Sequence, residues 1–316
     1  MSQQHFSWAF LTVSVFLAAC DGASNTGGSA GSTSTTGSGG TAGTAGSGTA
    51  GQPQGGTGTG GNATAGSNQG GTGAGGTTSS SGTGGTMDDL AALSDEFDNA
   101  ATLPNWTLLH QELGLPAPYD TLDINQTEAG KLTIVPTVSA WYQDDMAAFL
   151  YKEVTGDFLV EVSAAAYQKG TENAAPTETF NSGGMLLRDP SSTLISQNWL
   201  MYNIGHQDSF LGVEGKATVN SQSQLILVPT GTSHEGTLRL CRVGNTVRML
   251  RRLPGETGWV ETHTFPGTFT QTPATTLPNT LQVGIIVNAY LVAQVRTEFD
   301  YIHFSRVTTL DECSAE

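Results

Sequence analysis

Two stretches of the chain combine aromatic rings with short polar side chains. That pairing holds sugars, because rings stack on C–H patches while amides and carboxylates accept hydrogen bonds from hydroxyls. The first stretch is Trp141-Tyr142-Gln143-Asp144. The second is Trp199, Tyr202 and His206, flanked by Asn198 and Asn203. The competing use of each ring is core packing, and for Trp199 packing is the stronger competitor. Familiar catalytic arrangements are missing. There is no Gly-x-Ser-x-Gly elbow, no His-Glu-x-x-His pair and no cysteine in catalytic surroundings. The histidines at 5, 110, 206, 234, 263 and 303 show no metal-ligand spacing. Asp144 and Asp145 fall in a loop-like stretch, where neighbouring carboxylates are solvated.

Charge narrows the partners. The 316 residues hold 28 acidic and 12 basic side chains, a formal net charge of -16. Every Lys and Arg lies at or after Lys131, and Asp21 is the one acidic residue before Met87. The part from Met87 onward is therefore strongly acidic and repels phosphate backbones, so nucleic acid is excluded as a partner. The same charge serves solubility, and a monomer is expected.

The residues that precede this acidic part are of another kind. Phe6 to Ala19 is a largely apolar run, too short to span a bilayer and suited to the hydrophobic region of a signal peptide. It ends in Leu17-Ala18-Ala19-Cys20, although Met1 to His5 carries no Lys or Arg. This ending resembles the lipobox of bacterial lipoproteins. The resemblance implies a signal peptide over 1–19, cleavage before Cys20, acylation of the Cys20 thiol and anchoring of the chain to a lipid bilayer of the bacterial cell envelope, in either membrane. From Gly22 to Thr86 the chain is almost all Gly, Thr, Ser and Ala, with no aromatic residue. Nothing there can offset the entropy of ordering, so 20–86 is expected to be a disordered tether spanning roughly 45 Å. In such an exported protein the remaining cysteines, Cys241 and Cys313, form an even pair free to bridge. Either a disulfide pins Cys313 to a strand, or the polar stretch Asp311-Glu312-Cys313-Ser314 is a disordered tail.

Residues 87–316 must position whatever chemistry exists, and their pattern is that of strands. Phe158 to Ser163 alternates apolar and polar residues, as a half-buried strand does. Similar segments cover 131–135, 184–188, 199–203, 224–228, 237–240, 246–250, 281–287 and 297–304. Val243-Gly244-Asn245 signals a hairpin. No amphipathic helix of ten residues or more stands out. The pattern predicts an all-β, two-sheet antiparallel sandwich with its core over about 93–308.

Six segments, in order, resemble one fold family. They are Leu93-Ser94-Asp95-Glu96-Phe97-Asp98 with Trp106; Gly156-Asp157-Phe158; Gly183-Gly184-Met185-Leu186-Leu187-Arg188-Asp189 with Asn198-Trp199; Leu238 to Val247 with Trp259; Val283-Gly284-Ile285; and Phe299-Asp300-Tyr301-Ile302-His303-Phe304. Together they are similar to concanavalin A-like lectin/glucanase sandwiches, and most of all to accessory domains of secreted bacterial proteins and β-xylosidases. The resemblance implies a jelly-roll sandwich. Its glucanase members place Glu-x-Asp-x-x-Glu along one strand, so that alternation brings the carboxylates to one face. Here Glu161 stands alone in its strand, and no second Glu follows Glu96-Phe97-Asp98. The expectation is therefore a non-catalytic domain that binds polysaccharide, with a structural or protein-binding surface domain, or a diverged glycoside hydrolase, as alternatives. The resemblance also implies a structural calcium ion held between first and last strands, by Asp95 or Glu96 with Asp300.

Overall fold

The computed structural model describes residues 88–171 and 173–316. The segments 1–19 and 20–86, with the lipidation expected at Cys20, lie outside the described residues.

Among the described residues, fourteen strands form two antiparallel sheets of seven. Seven belong to one sheet: β1 Thr107–Leu108, β4 Phe149–Thr155, β6 Asn181–Arg188, β7 Trp199–His206, β8 Leu211–Val219, β9 Gln222–Pro229 and β13 Thr280–Ala289. Their order across it is β1-β4-β13-β6-β7-β8-β9. The other sheet contains β2 Tyr119–Ile124, β3 Leu132–Pro136, β5 Phe158–Gln168, β10 Glu235–Val243, β11 Thr246–Arg252, β12 Val260–Phe265 and β14 Val295–Ser305. Its order is β12-β11-β10-β5-β14-β3-β2. The one α-helix among the described residues is a single turn, Leu109–Glu112.

Period-2 alternation decides which side chains enter the space between the sheets. On β5, Phe158, Val160, Val162 and Ala164 face inward, and Leu240, Leu238, Phe304 and Ile302 join them from neighbouring strands. Met185, Leu187, Leu200, Tyr202, Ile204 and Ile285 fill the layer from the opposite sheet. The hairpin expected at residues 243–245 is present. Val243 pairs with Thr246, and Gly244 takes a φ of 60°, a left-handed conformation that costs glycine little.

Strands β1, β2, β4, β8 and β12 had no counterpart in the strand segments read from sequence. Strand β8 shows why. Its Gly212, Glu214, Gly215 and Lys216 read as loop residues, yet all are buried, because the sheet's second face is covered rather than solvated. Gly215 is required by a neighbour. A Cβ there would sit 2.3 Å from the ring of His263, which packs edge-on against Tyr202.

Cys241 on β10 and Cys313 are joined by a disulfide, with a Cα–Cα distance of 5.6 Å. The segment around Cys313 is ordered. With Leu159, Leu250, Val307 and Leu310 the two cysteines form a small apolar cluster on the outward face of the β5 sheet. Arg239 donates from Nη1 to the carbonyls of Cys313 and Ala315, and Arg252 reaches Glu316 at 2.8 Å.

The bridge closes a span of 72 residues. Loop-closure entropy then predicts that replacing both cysteines by serine costs about 4 kcal/mol of stability, read as a lower urea midpoint. Burial depresses the His263 pKa to about 4, so the unfolded chain binds a proton near pH 6.5 that the folded chain refuses. Stability is complete above pH 6.5 and falls by about 3 kcal/mol as the pH drops through about 4. The His263→Phe variant should show a flatter stability profile across that window in pH-dependent denaturation.

Candidate ligand groove

The middle of the outward face of the β4–β9 sheet is covered. The segment that carries Trp141 lies across it, and the Trp141 ring meets Trp199 at 5.7 Å and Phe149 at 5.8 Å, both edge-on. Leu109, Met201, Leu186 and Ile286 complete the apolar patch. Polar anchors hold the segment in place. Asn288 Oδ1 accepts from the Trp141 amide at 2.9 Å, and Lys216 Nζ donates to the Trp141 carbonyl at 2.8 Å.

This arrangement corrects the stacking platform expected from sequence. Trp141 is 0% exposed, Trp199 2% and Tyr202 0%, so none of them presents a face to a ligand. Trp141 and Trp199 do meet, but as packing partners. Tyr202 points to the opposite side of its strand, where its hydroxyl accepts from Thr262 Oγ1 at 2.9 Å. Tyr142 is half-buried, and its ring centroid lies 5.7 Å from Lys216 Nζ. Asp144 is exposed and accepts from Ser221 Oγ. His206 is half-buried, with Nδ1 against the Gln207 carbonyl at 3.0 Å.

The calcium ligands expected from the resemblance do not converge. Asp95 accepts from the Phe97 amide and from Trp106 Nε1, each at 3.0 Å. Glu96 pairs with His303 at 2.7 Å. Asp300 accepts from Lys131 and from Ser163 Oγ. Calcium takes about six to eight oxygens, whereas these carboxylates are committed to protein donors. No group of three His, Cys, Asp or Glu that could hold a metal ion occurs among the described residues.

The other sheet carries an open site. Its central strand β5 turns Ser163, Ala165 and Tyr167 outward. The first two are small, so the sheet surface dips there. Register places Ala165 between Glu235 on β10 and Glu298 on β14, and Ser163 between Thr237 and Tyr301. Lys131 and Asp300 line one side; Arg252, Leu253, Pro254 and Glu256 line the other. The resulting groove is about 280 Å³, at the small end of ligand clefts.

Its polar groups are held firmly. Tyr167 donates to Glu235 Oε2 at 3.3 Å, with His234 edge-on to its ring at 5.5 Å. Burial, with Glu235 beside it, pushes the Tyr167 phenol up to about 12, so it stays a hydrogen-bond donor at neutral pH. Burial also raises the Glu298 carboxyl against the pull of Arg296, which it meets at 2.8 Å. Glu256 accepts from the Leu253 amide at 2.7 Å. Beyond one end, Glu161 accepts from Arg239 at 2.6 Å and from Tyr301 at 2.8 Å, and the ring of Trp259 lies under Arg239 and Arg252. The groove thus offers fixed donors and acceptors along small-residue strand surface, an arrangement suited to binding a polyhydroxylated molecule.

Of these lining residues, sequence reasoning had singled out Asp300 alone, and for a different role. A signal was available in Ser163-Ala164-Ala165-Ala166. Small residues at successive outward positions of a strand leave a trough if the strand is central, and that position is a property of sheet order.

No family model matches the chain, and no curated protein matches it. Solved structures do resemble it. A bifunctional GH43-CE protein of Bacteroides eggerthii matches with a TM-score of 0.50 and 13% identity, over 68% of this chain and 26% of that one. A xylan beta-1,4-xylosidase from Bacillus halodurans matches with a TM-score of 0.48 and 15% identity, over 67% of this chain and 39% of that one. Lectin I-B4 from Griffonia simplicifolia matches with a TM-score of 0.42 and 12% identity, over 67% and 98% of the two chains.

Truncating the covering ring separates the two faces experimentally. Trp141→Ala is expected to cost about 3–5 kcal/mol in urea denaturation, while the groove on the opposite sheet keeps its structure. A Trp141→Ala protein of unchanged stability would show that the ring does not cover the face. The chain from Asp88 onward folds as an all-β, two-sheet antiparallel sandwich, a fold it shares with part of the GH43-CE protein.

Proposed function

We propose that the sandwich is a non-catalytic carbohydrate-binding domain, held at the bacterial cell envelope by acylated Cys20 and spaced from the bilayer by the 20–86 tether. The groove over β5 carries this reading. Hydroxyls, carboxylates and cations stand at fixed positions around Ser163 and Ala165, with Tyr167 at one end. Such a site pairs with sugar hydroxyls through both donors and acceptors. Its carboxylates are committed to protein partners: Asp300 to Lys131, Glu298 to Arg296, Glu256 to Arg251, and Glu235 to the Tyr167 phenol. That commitment suits holding a ligand better than cycling a proton through one. The solved structures named above include a xylosidase and a lectin, which fits a polysaccharide as partner.

One observation favours a second reading, a protein-binding surface. Val138, Tyr290, Leu291 and Val292 are exposed, and Ser139 pairs with Ala289, so these apolar residues are neighbours. Leu291 holds a φ of 62°, a strained conformation for a bulky residue.

A glycan-array screen of residues 87–316 tests the first reading. Saturable binding to one polysaccharide class is expected. It should weaken by more than about tenfold, about 1.4 kcal/mol, in Ala165→Trp, which fills the floor of the groove. Absence of binding, or binding indifferent to Ala165→Trp, removes the groove and favours the apolar surface. For the anchor, Cys20→Ser should move the protein from the membrane fraction to the soluble fraction, and continued sedimentation with membranes would refute lipidation at Cys20.

A further inference from the structure

Beneath the covered face lies a group of reactive side chains that sugar binding does not use. Lys216 and Glu214 on β8 and Asn203 on β7 point to the same side of the sheet, with Glu214 directly opposite Asn203. Glu214, Asn203 and Gln207 are 0% exposed and Lys216 5%. One carboxylate bridges the other two groups. Glu214 Oε1 lies 2.8 Å from Lys216 Nζ, and Glu214 Oε2 accepts from Asn203 Nδ2 at 2.9 Å. An ionised carboxylate only accepts, so the asparagine atom facing it is its NH2 group. The Asn203 carbonyl therefore turns away, and its Oδ1 accepts from Gln207 Nε2 at 3.0 Å. Rings of Tyr142 and Phe180 stand 5.7 and 5.9 Å from Lys216 Nζ, and the Trp141 segment covers the group, its carbonyl accepting from Nζ.

We propose that Lys216 and Asn203 condense spontaneously into an intramolecular isopeptide bond, with Glu214 carrying the protons. An amine, a carboxamide and a proton carrier are the parts this reaction requires, and here one carboxylate touches the other two groups in a buried site. Glu214 Oε1 takes a proton from the Lys216 ammonium along the 2.8 Å contact. The freed amine attacks Asn203 Cγ. Negative charge develops on Oδ1, where the Gln207 amide already donates a hydrogen bond, as a preorganised donor does for an acyl-transfer oxyanion. Glu214 then passes the proton to the departing Nδ2, with which it is already hydrogen-bonded. The Nζ–Cγ bond forms, the Cγ–Nδ2 bond breaks, and nitrogen leaves as ammonia. The second proton from Nζ follows through Glu214 to give ammonium. A lysine ammonium and a primary amide become a secondary amide and an ammonium ion. Charge balances, the carboxylate is restored, and no oxidant or reductant is involved. The bond would staple β7 to β8 under the covered face.

The test is mass spectrometry of the full chain, denatured and digested with trypsin. An unlinked chain is cleaved after Lys216 and releases Asp189–Lys216 and Ala217–Arg239 as separate peptides. A linked chain resists cleavage there and yields Asp189–Arg239 as one peptide, lighter than its sequence mass by one ammonia, with fragment ions that join Lys216 to Asn203. Glu214→Gln should restore both cleavage and mass. Two separate peptides at sequence mass from the unmodified chain would overturn the proposal without reference to any variant. A linkage that persists in Glu214→Gln would overturn the role given to the carboxylate. Neither result depends on sugar binding.

Discussion

The burial of Trp141 against Trp199 and Phe149 is the contact on which much else depends. A two-sheet sandwich has one shared interior and two outward faces. Once the Trp141 segment covers the middle of one of them, the residues beneath it obey the rules of an interior. Apolar residues at alternate positions of β4, β6, β7 and β13 become packed on both sides, and polar residues there must find partners. Arg188 shows the consequence. It is 2% exposed and directs its guanidinium to Gln197, Gln282 and the Ser192 carbonyl. Burial lowers its pKa, and charge-assisted hydrogen bonds to neutral oxygens offset part of the desolvation. Lys216 and Glu214 satisfy the same requirement by pairing with each other, with Asn203 and with the Trp141 carbonyl.

The second sheet is divided along its outward face. Towards Leu159, Cys241 and Leu250 the surface is apolar, and it is covered by the segment that the Cys241–Cys313 disulfide holds down. Towards Ser163, Ala165 and Tyr167 it is open. The boundary is electrostatic: Glu161, Arg239 and Tyr301 are hydrogen-bonded together, and Arg239 also binds the carbonyls of Cys313 and Ala315. The disulfide therefore does more than restrict the unfolded chain. It places a wall near one end of the groove.

Much of the sandwich was legible in the residues, for local reasons. Inward and outward positions on β5, β10 and β14 follow from a two-residue period that any window of the chain reveals. The turn at Gly244-Asn245 follows from the left-handed conformation glycine tolerates. Strand β8 was not legible, because Glu214 and Lys216 mimic a solvated stretch unless it is known that both of its faces are covered.

Sequence by itself determined the division of the chain into an apolar first stretch, a Gly- and Thr-rich stretch and an acidic strand-rich part, since composition limits what can fold. It also determined that aromatic and polar residues sit together at 141–144 and 199–206. Only the tertiary structure decided that Trp141 and Trp199 pack on each other, that Asp95, Glu96 and Asp300 keep to separate partners, and that the groove lies over β5. The physical reason is that exposure and convergence belong to pairs of distant segments. Trp141 is buried because Trp199 and Phe149 meet it across a sheet face, and Ser163 borders a groove because β10 and β14 rise on either side of it. Neither relation can be read from a residue and its neighbours along the chain.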